Sequence, residues 1–346
     1  MRAGKPFKKQ IMFFSVPAVF FLILISNALA LPIGTGELEV MMMGSEQILD
    51  NAPDYQWWYG CTPTAAGMLM GYYDINGYGG LSYNNLVPGI SAYLSNYSIE
   101  SSEDPVRNIV ASEGHVDDFW VAMGSNDSDP WRSNLPPQLS HEFNCLADFM
   151  GTSQDFLGYK KDGSPVGNSD GCTRIWNSDD GSKLTAEMAV LEGIENMSGM
   201  YGIGEYLNYC GYGWEEGSLF NQYTDNRFDG EGGFTFDEYK NEIDFGRPVV
   251  VHLEGHSVFS FGYDDTTQTI YLHDTWNVSA YEGAQSMLWG DFYDGLAMQA
   301  VTCLTLSGGA IVPEPETWIL FIIGALAMMN IKKKVLAKTK KRVIYG

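Results

Sequence analysis

The stretch Gln56-Trp-Trp-Tyr-Gly-Cys61-Thr-Pro-Thr-Ala-Ala-Gly-Met-Leu-Met-Gly-Tyr-Tyr73 decides how this chain is read. Within residues 64–73, Ala65, Ala66, Met68, Leu69 and Tyr72 recur at i, i+3, i+4 spacing, which predicts a helix with one apolar face. Pro63 fits only in the first turn of such a helix, where its missing N–H is not needed. Cys61 then stands where loop becomes helix, and the unpaired N–H groups and dipole at that end favour its thiolate, the nucleophilic form. A buried structural cysteine would fit the same placement. The choice turns on a second segment about 195 residues downstream.

That segment is Gly246-Arg-Pro-Val-Val-Val-His-Leu-Glu-Gly-His256-Ser-Val-Phe-Ser-Phe-Gly-Tyr-Asp264. Val249, Val251 and Leu253 alternate with Val250, His252 and Glu254, the period of a strand. Gly255 breaks the run, and a second apolar stretch, Val258 to Phe261, ends at Gly262. His256 is therefore expected at the mouth of a strand, where its ring can leave the sheet. A third strand, Thr269-Ile-Tyr-Leu-His273, runs into Asp274-Thr-Trp276. A cysteine, a histidine and an aspartate at element ends supply a nucleophile, a base and a group to orient the base. His252 is the rival base, alternating onto the Val250 face. His273, inside a strand, reads as a core-edge residue.

Cys61-Thr-Pro-Thr64, His256-x-Val-x-x-x-Gly262-Tyr263 and Asp274-Thr-Trp276, in that order, resemble the signature blocks of the papain-like cysteine peptidases. The nearest likeness is to the branch of bacteriocin-processing, double-glycine-type peptidases, where Gly-x-Pro-Val also precedes the histidine strand. The resemblance covers residues 50–80 and 235–305. It implies an α+β fold with an N-terminal nucleophile helix packed on an antiparallel sheet carrying the His and Asp. It also implies a catalytic triad of Cys61, His256 and Asp274, with Trp276 shielding the His–Asp contact. The family's oxyanion glutamine maps onto Gln56, one position nearer the cysteine than in the family. No cofactor and no metal are implied, and the expected partner is a peptide or protein substrate.

The ends carry other signals. Arg2, Lys5, Lys8 and Lys9 precede an apolar run from Ile11 to Ile25 and then Ala28-Leu-Ala30, the pattern of a signal peptide cleaved after Ala30. At the far end come Val312-Pro-Glu-Pro315, an apolar run from Trp318 to Met329 and a cluster of lysines closing with Arg342. This tail is similar to the PEP-CTERM signal read by exosortases in Gram-negative bacteria. The basic cluster stays cytoplasmic, the short helix lodges transiently in the inner membrane, and the Pro-Glu-Pro turn faces outward. The resemblance implies Sec and exosortase as partners and a final location outside the cell or on its outer surface. The expected organisation is a signal peptide (1–30), a linker (31–48), a peptidase domain (49–308) with an insertion around 86–234, and a sorting tail (309–346).

With the ends removed, residues 31–312 hold nine basic and forty-one acidic side chains. Such a body repels nucleic acid and anionic lipid. It suits a solvated extracellular surface. The chain is 45% apolar, which excludes a disordered protein. Once Cys61 is set aside, Cys145, Cys172, Cys210 and Cys303 suffice for two disulfides in any of three pairings.

The middle of the chain offers weaker signals. His115, Asp117 and His141 form a conceivable metal set, for which cleft-edge or surface roles are the preferred reading. Asp225 to Gly230 resembles a calcium loop, but Arg227 and Phe236 occupy ligand positions and exclude an EF-hand. Thr235-Phe-Asp-Glu238 is a capping box that opens a short helix through Ile243, with Phe236, Tyr239 and Ile243 inward. The leading expectation is peptide-bond hydrolysis by a cysteine peptidase. The alternatives are a catalytically idle papain-like fold used for binding in a matrix, or an amidase or transglutaminase-like acyl transferase.

Overall fold

The computed structural model describes residues 45–87, 105–120, 142–154, 171–228, 232–276, 284–308 and 310–311. All of them belong to one compact unit. The expected signal peptide, nearly all of the expected linker and sorting tail, and His141 lie outside the described residues. Among the described residues, no helix is long and apolar enough to cross a membrane.

In chain order the elements begin with β1 (Glu46–Ile48), α1 (Cys61–Asn76), β2 (Leu81–Ser82), α2 (Pro105–Val110), α3 (Glu113–Phe119) and α4 (Leu146–Phe149). Next come β3 (Leu184–Thr185), α5 (Ala186–Glu192), α6 (Gly199–Tyr209), β4 (Gly213–Trp214), β5 (Phe220–Tyr223) and α7 (Phe236–Asp244). The chain closes with β6 (Val249–Leu253), β7 (His256–Asp264), β8 (Thr269–His273), β9 (Gln285–Leu288), β10 (Phe292–Tyr293), β11 (Leu296–Cys303), β12 (Leu306–Ser307) and β13 (Ala310–Ile311). The main sheet runs β3-β5-β11-β6-β7-β8-β9, with β1 also on β7 and β10 on β11. Every pairing between these strands is antiparallel. Helices beside an antiparallel sheet make this an α+β fold.

The strands and turn expected from Val249 to His273 form as the alternation requires, with Leu253 paired to His256 across the Glu254–Gly255 turn. Gly262 has a packing reason: β7 bulges against β8 between Ser260 and Gly262, and a Cβ on Gly262 would lie 2.7 Å from the Gln47 carbonyl on β1. The capping box at Thr235 and Glu238 is present, and Phe236, Tyr239 and Ile243 are buried as expected. The Tyr239 hydroxyl donates to the Gly262 carbonyl at 2.7 Å, which ties α7 to β7.

Helix α1 departs from expectation. It starts at Cys61 but runs past Tyr73 to Asn76, and it is buried at every position from Thr62 to Tyr73. A one-faced helix at the surface would leave a polar stripe, whereas a helix enclosed on all sides is apolar throughout. It packs on β6 and β7 and also against α2 and α4. Small residues make the enclosure possible, since a Cβ at Gly71 would lie 2.1 Å from the Tyr55 hydroxyl. Leu69 is fully buried, so Leu69→Ala would cost about 2–5 kcal/mol.

Described parts of the stretch expected as an insertion contribute to the main sheet: strands β3 and β5 join it beside β11. The five cysteines are thiols, so the two disulfides allowed by the cysteine count do not form.

Candidate active site

Gly60 positions the cysteine. Its φ of 150° and ψ of 131° end the loop, and a Cβ there would meet Pro63 at 2.7 Å and the Gly171 carbonyl at 2.8 Å. The next residue is the first of α1. Thr64 closes the turn, its hydroxyl donating to the Gly60 carbonyl at 2.6 Å while accepting from the Trp58 N–H at 3.1 Å. Cys61 is thereby held at the helix start, as the sequence suggested.

His256 opens β7 and Asp274 follows the end of β8. Both are buried. His256 Nε2 lies 2.8 Å from the Asp274 main-chain carbonyl. A carbonyl can only accept, so Nε2 carries the proton and the neutral ring keeps its lone pair on Nδ1. The Asp274 carboxylate accepts from the Trp276 N–H at 2.9 Å and from the Tyr293 hydroxyl at 2.7 Å. Trp276 stacks on His256, with centroids 3.9 Å apart and planes inclined by 19°. This is the shielding place expected for that tryptophan.

Cys61 and His256 line the same cavity of about 460 Å³, together with Thr62, Ser257, His252 and Gln154. Segment 171–177 supplies another wall, including Cys172 and Arg174. Gln56 is not among the lining residues; its neighbour Trp57 donates its N–H to the Thr275 carbonyl, beside Asp274. Gln154 has no sequence signal, yet its buried amide borders the cavity and donates to the Asp148 carbonyl at 3.2 Å.

The electrostatics differ from the thiolate expectation. Burial pushes the Cys61 thiol up, more than the opposing main-chain hydrogen bonds from Ser257 and Thr62 pull it down. Burial also lowers His256, against the hydrogen bond and charge of Asp274. At neutral pH these shifts favour a thiol and a neutral imidazole within one cavity, so the nucleophile needs the ring as a base.

The remaining histidines have separate settings. His252 is buried and bonded through both ring nitrogens, to Ser257 at 2.9 Å and Thr302 at 2.7 Å. His273 stacks on Phe261 with centroids 4.5 Å apart. His115 meets Asp148 at 2.7 Å, with Cys145 nearby, and all three are buried. Asp117, once a candidate ligand beside His115, is exposed. Burial and the Asp148 charge push the Cys145 thiol far up.

Residues 180–296 match the Peptidase_C39 like family. The matched stretch holds His256 and Asp274 and begins inside the segment expected as an insertion. The match supports a cysteine-type peptidase, a hydrolase. No curated protein and no solved structure matches the chain.

Proposed function

We propose that the chain is a secreted cysteine peptidase that hydrolyses peptide bonds with Cys61, His256 and Asp274 in a papain-like arrangement. The observation that carries this reading is the ring of His256. It shares a cavity with Cys61, and its Nε2–H is committed to the Asp274 carbonyl, which leaves the Nδ1 lone pair for the thiol proton. In the first step Cys61 Sγ attacks the carbonyl carbon while His256 takes the thiol proton. The oxyanion forms beside the first N–H groups of α1, where Cys61 and Thr62 can donate and Pro63 cannot. The imidazolium then protonates the leaving amine, and water attacks the thioester with the same ring as base. Asp274 holds the ring by its carbonyl and favours the imidazolium by its charge.

Export and sorting belong to the same proposal, supported by the signal-like start and the Pro313-Glu-Pro315, apolar and basic tail. The chain would pass through Sec, rest briefly in the inner membrane, and be released by an exosortase to the cell surface or beyond.

The test is intact-protein mass spectrometry after incubation with a peptide electrophile. One adduct on Cys61 is expected, absent in Cys61→Ala and strongly slowed in His256→Ala. An unmodified Cys61, or an unchanged rate in His256→Ala, would remove the peptidase reading.

A further inference from the structure

A buried chain of hydrogen bonds runs from the sheet interior to the start of α1. The Asn221 side-chain amide donates to the Trp176 carbonyl at 3.0 Å, which fixes its flip. Its Oδ1 therefore faces Thr302, whose hydroxyl donates to it at 2.5 Å. With that proton spent, Thr302 accepts from His252 Nε2–H at 2.7 Å. The neutral ring then has only a lone pair on Nδ1, so Ser257 donates to it at 2.9 Å. Ser257 can now only accept from the Thr62 hydroxyl, 2.9 Å away. Each hydroxyl has one proton, and each is assigned by the link before it.

We propose that His252 is a positioning residue for Cys61, relaying the direction of this chain so that the Thr62 hydroxyl donates to Ser257 and turns its lone pairs toward the sulfur. Cys61 Sγ lies 3.9 Å from Thr62 Oγ1. A hydroxyl whose proton is committed elsewhere can accept from S–H but cannot donate to S⁻. The chain thus acts with burial to keep Cys61 a thiol between turnovers, and leaves the proton for His256 to remove. A thiol resists alkylation and oxidation far better than a thiolate. Burial draws His252 down to about 4, so its ring is neutral and the chain has one direction at neutral pH. The benefit to turnover rests on the peptidase reading; the orientation of Thr62 does not.

Ser257→Ala tests the proposal, because it cuts the chain yet keeps the Ser257 N–H near the sulfur. The reading is the pH dependence of Cys61 alkylation by iodoacetamide, followed on the Cys61 peptide in a His256→Ala background. Cys172, which is exposed, serves as the internal control. Freed from Ser257, the Thr62 hydroxyl can turn to the thiolate, and the midpoint should fall by about half a unit or more. Adding Thr62→Val should abolish that fall, and Thr62→Ser with Ser257 intact should keep the parent midpoint. An unmoved or raised midpoint in Ser257→Ala, or a fall that survives Thr62→Val, would overturn the proposal. The assay uses no substrate. A protein that alkylates as expected but cleaves no peptide would reject the peptidase reading and leave this one standing.

Discussion

His256 is held by the backbone of Asp274: ring Nε2 donates to its carbonyl at 2.8 Å, while its carboxylate receives Trp276 N–H and the Tyr293 hydroxyl. The residue thus separates into an orienting carbonyl that no substitution removes and a carboxylate that braces the loop.

Asp274→Asn keeps the carbonyl and an acceptor oxygen, so turnover should stay within about tenfold of wild type, the scale of one altered hydrogen bond. Asp274→Ala strands the Trp276 N–H and the Tyr293 hydroxyl, and should slow turnover by about ten- to a hundredfold. Steady-state kcat on a peptide substrate decides, and wild-type rates in Asp274→Ala would exclude Asp274 from the site.

His256→Ala should lower turnover by about 10²–10⁴-fold with an unchanged circular dichroism spectrum. His252→Ala should retain measurable activity. It strands buried hydroxyls of Ser257 and Thr302, and should cost about 1–3 kcal/mol in urea unfolding. The reverse pattern of activities would move the base to His252.

The pH profile of kcat/KM carries a sign. A base must be neutral to accept the thiol proton, and burial lowers His256 below its ordinary 6.5. The acid limb should therefore fall below pH 6.5. Removing the Asp274 charge should push it lower still, because that charge favours the protonated ring. A limb above 6.5, or an upward move in Asp274→Ala, would contradict the assignment.

Stability should depend on pH through other histidines. His252 and His273 are drawn down to about 4 by burial, so between pH 6.5 and 4 the unfolded chain binds more protons. Their contribution is full above 6.5 and drains as pH falls toward 4, with an upper bound on the order of 3 kcal/mol for each ring. Asp74, raised to about 6 by burial, acts in the opposite sense, gaining stability as pH falls through 6. Its partial exposure makes that offset smaller. Urea midpoints should be lower at pH 5 than at pH 7, and equal midpoints would refute the balance.

Protein recovered from the medium or outer surface of a host with a matching exosortase should lack the lysine-rich end, with a new terminus near Pro313-Glu-Pro315. Mass spectrometry reads this directly. An intact Lys332–Arg342 segment there would mark the tail as an ordinary anchor.

Much of the frame around the site was legible because it is local. Alternation at Val249–Leu253, the break at Gly255 and the box at Thr235 and Glu238 are written within a few residues of sequence. What encloses α1 was not: α2 and α4 arrive from segments with no periodic mark, so a helix closed on all sides read as one with a single apolar face. The protonation of Cys61 was misjudged for a related reason. The helix start is visible in sequence, whereas the burial that outweighs it comes from the assembled cavity. The bonds from Thr62 to Asn221 join residues from α1, β7, β6, β11 and β5, and only the register of the sheet brings them together.

The contact of Thr62 with Ser257 spans 195 residues of sequence. Closing so long a loop has an entropic cost that only a largely formed core offsets, and such contacts come late in folding. Thiol and imidazole therefore come to share a cavity only when the sheet has closed on the first helix. A nascent or unfolded chain carries the same side chains with no partnership between them, so reactivity of Cys61 that depends on His256 is itself a readout of completed folding.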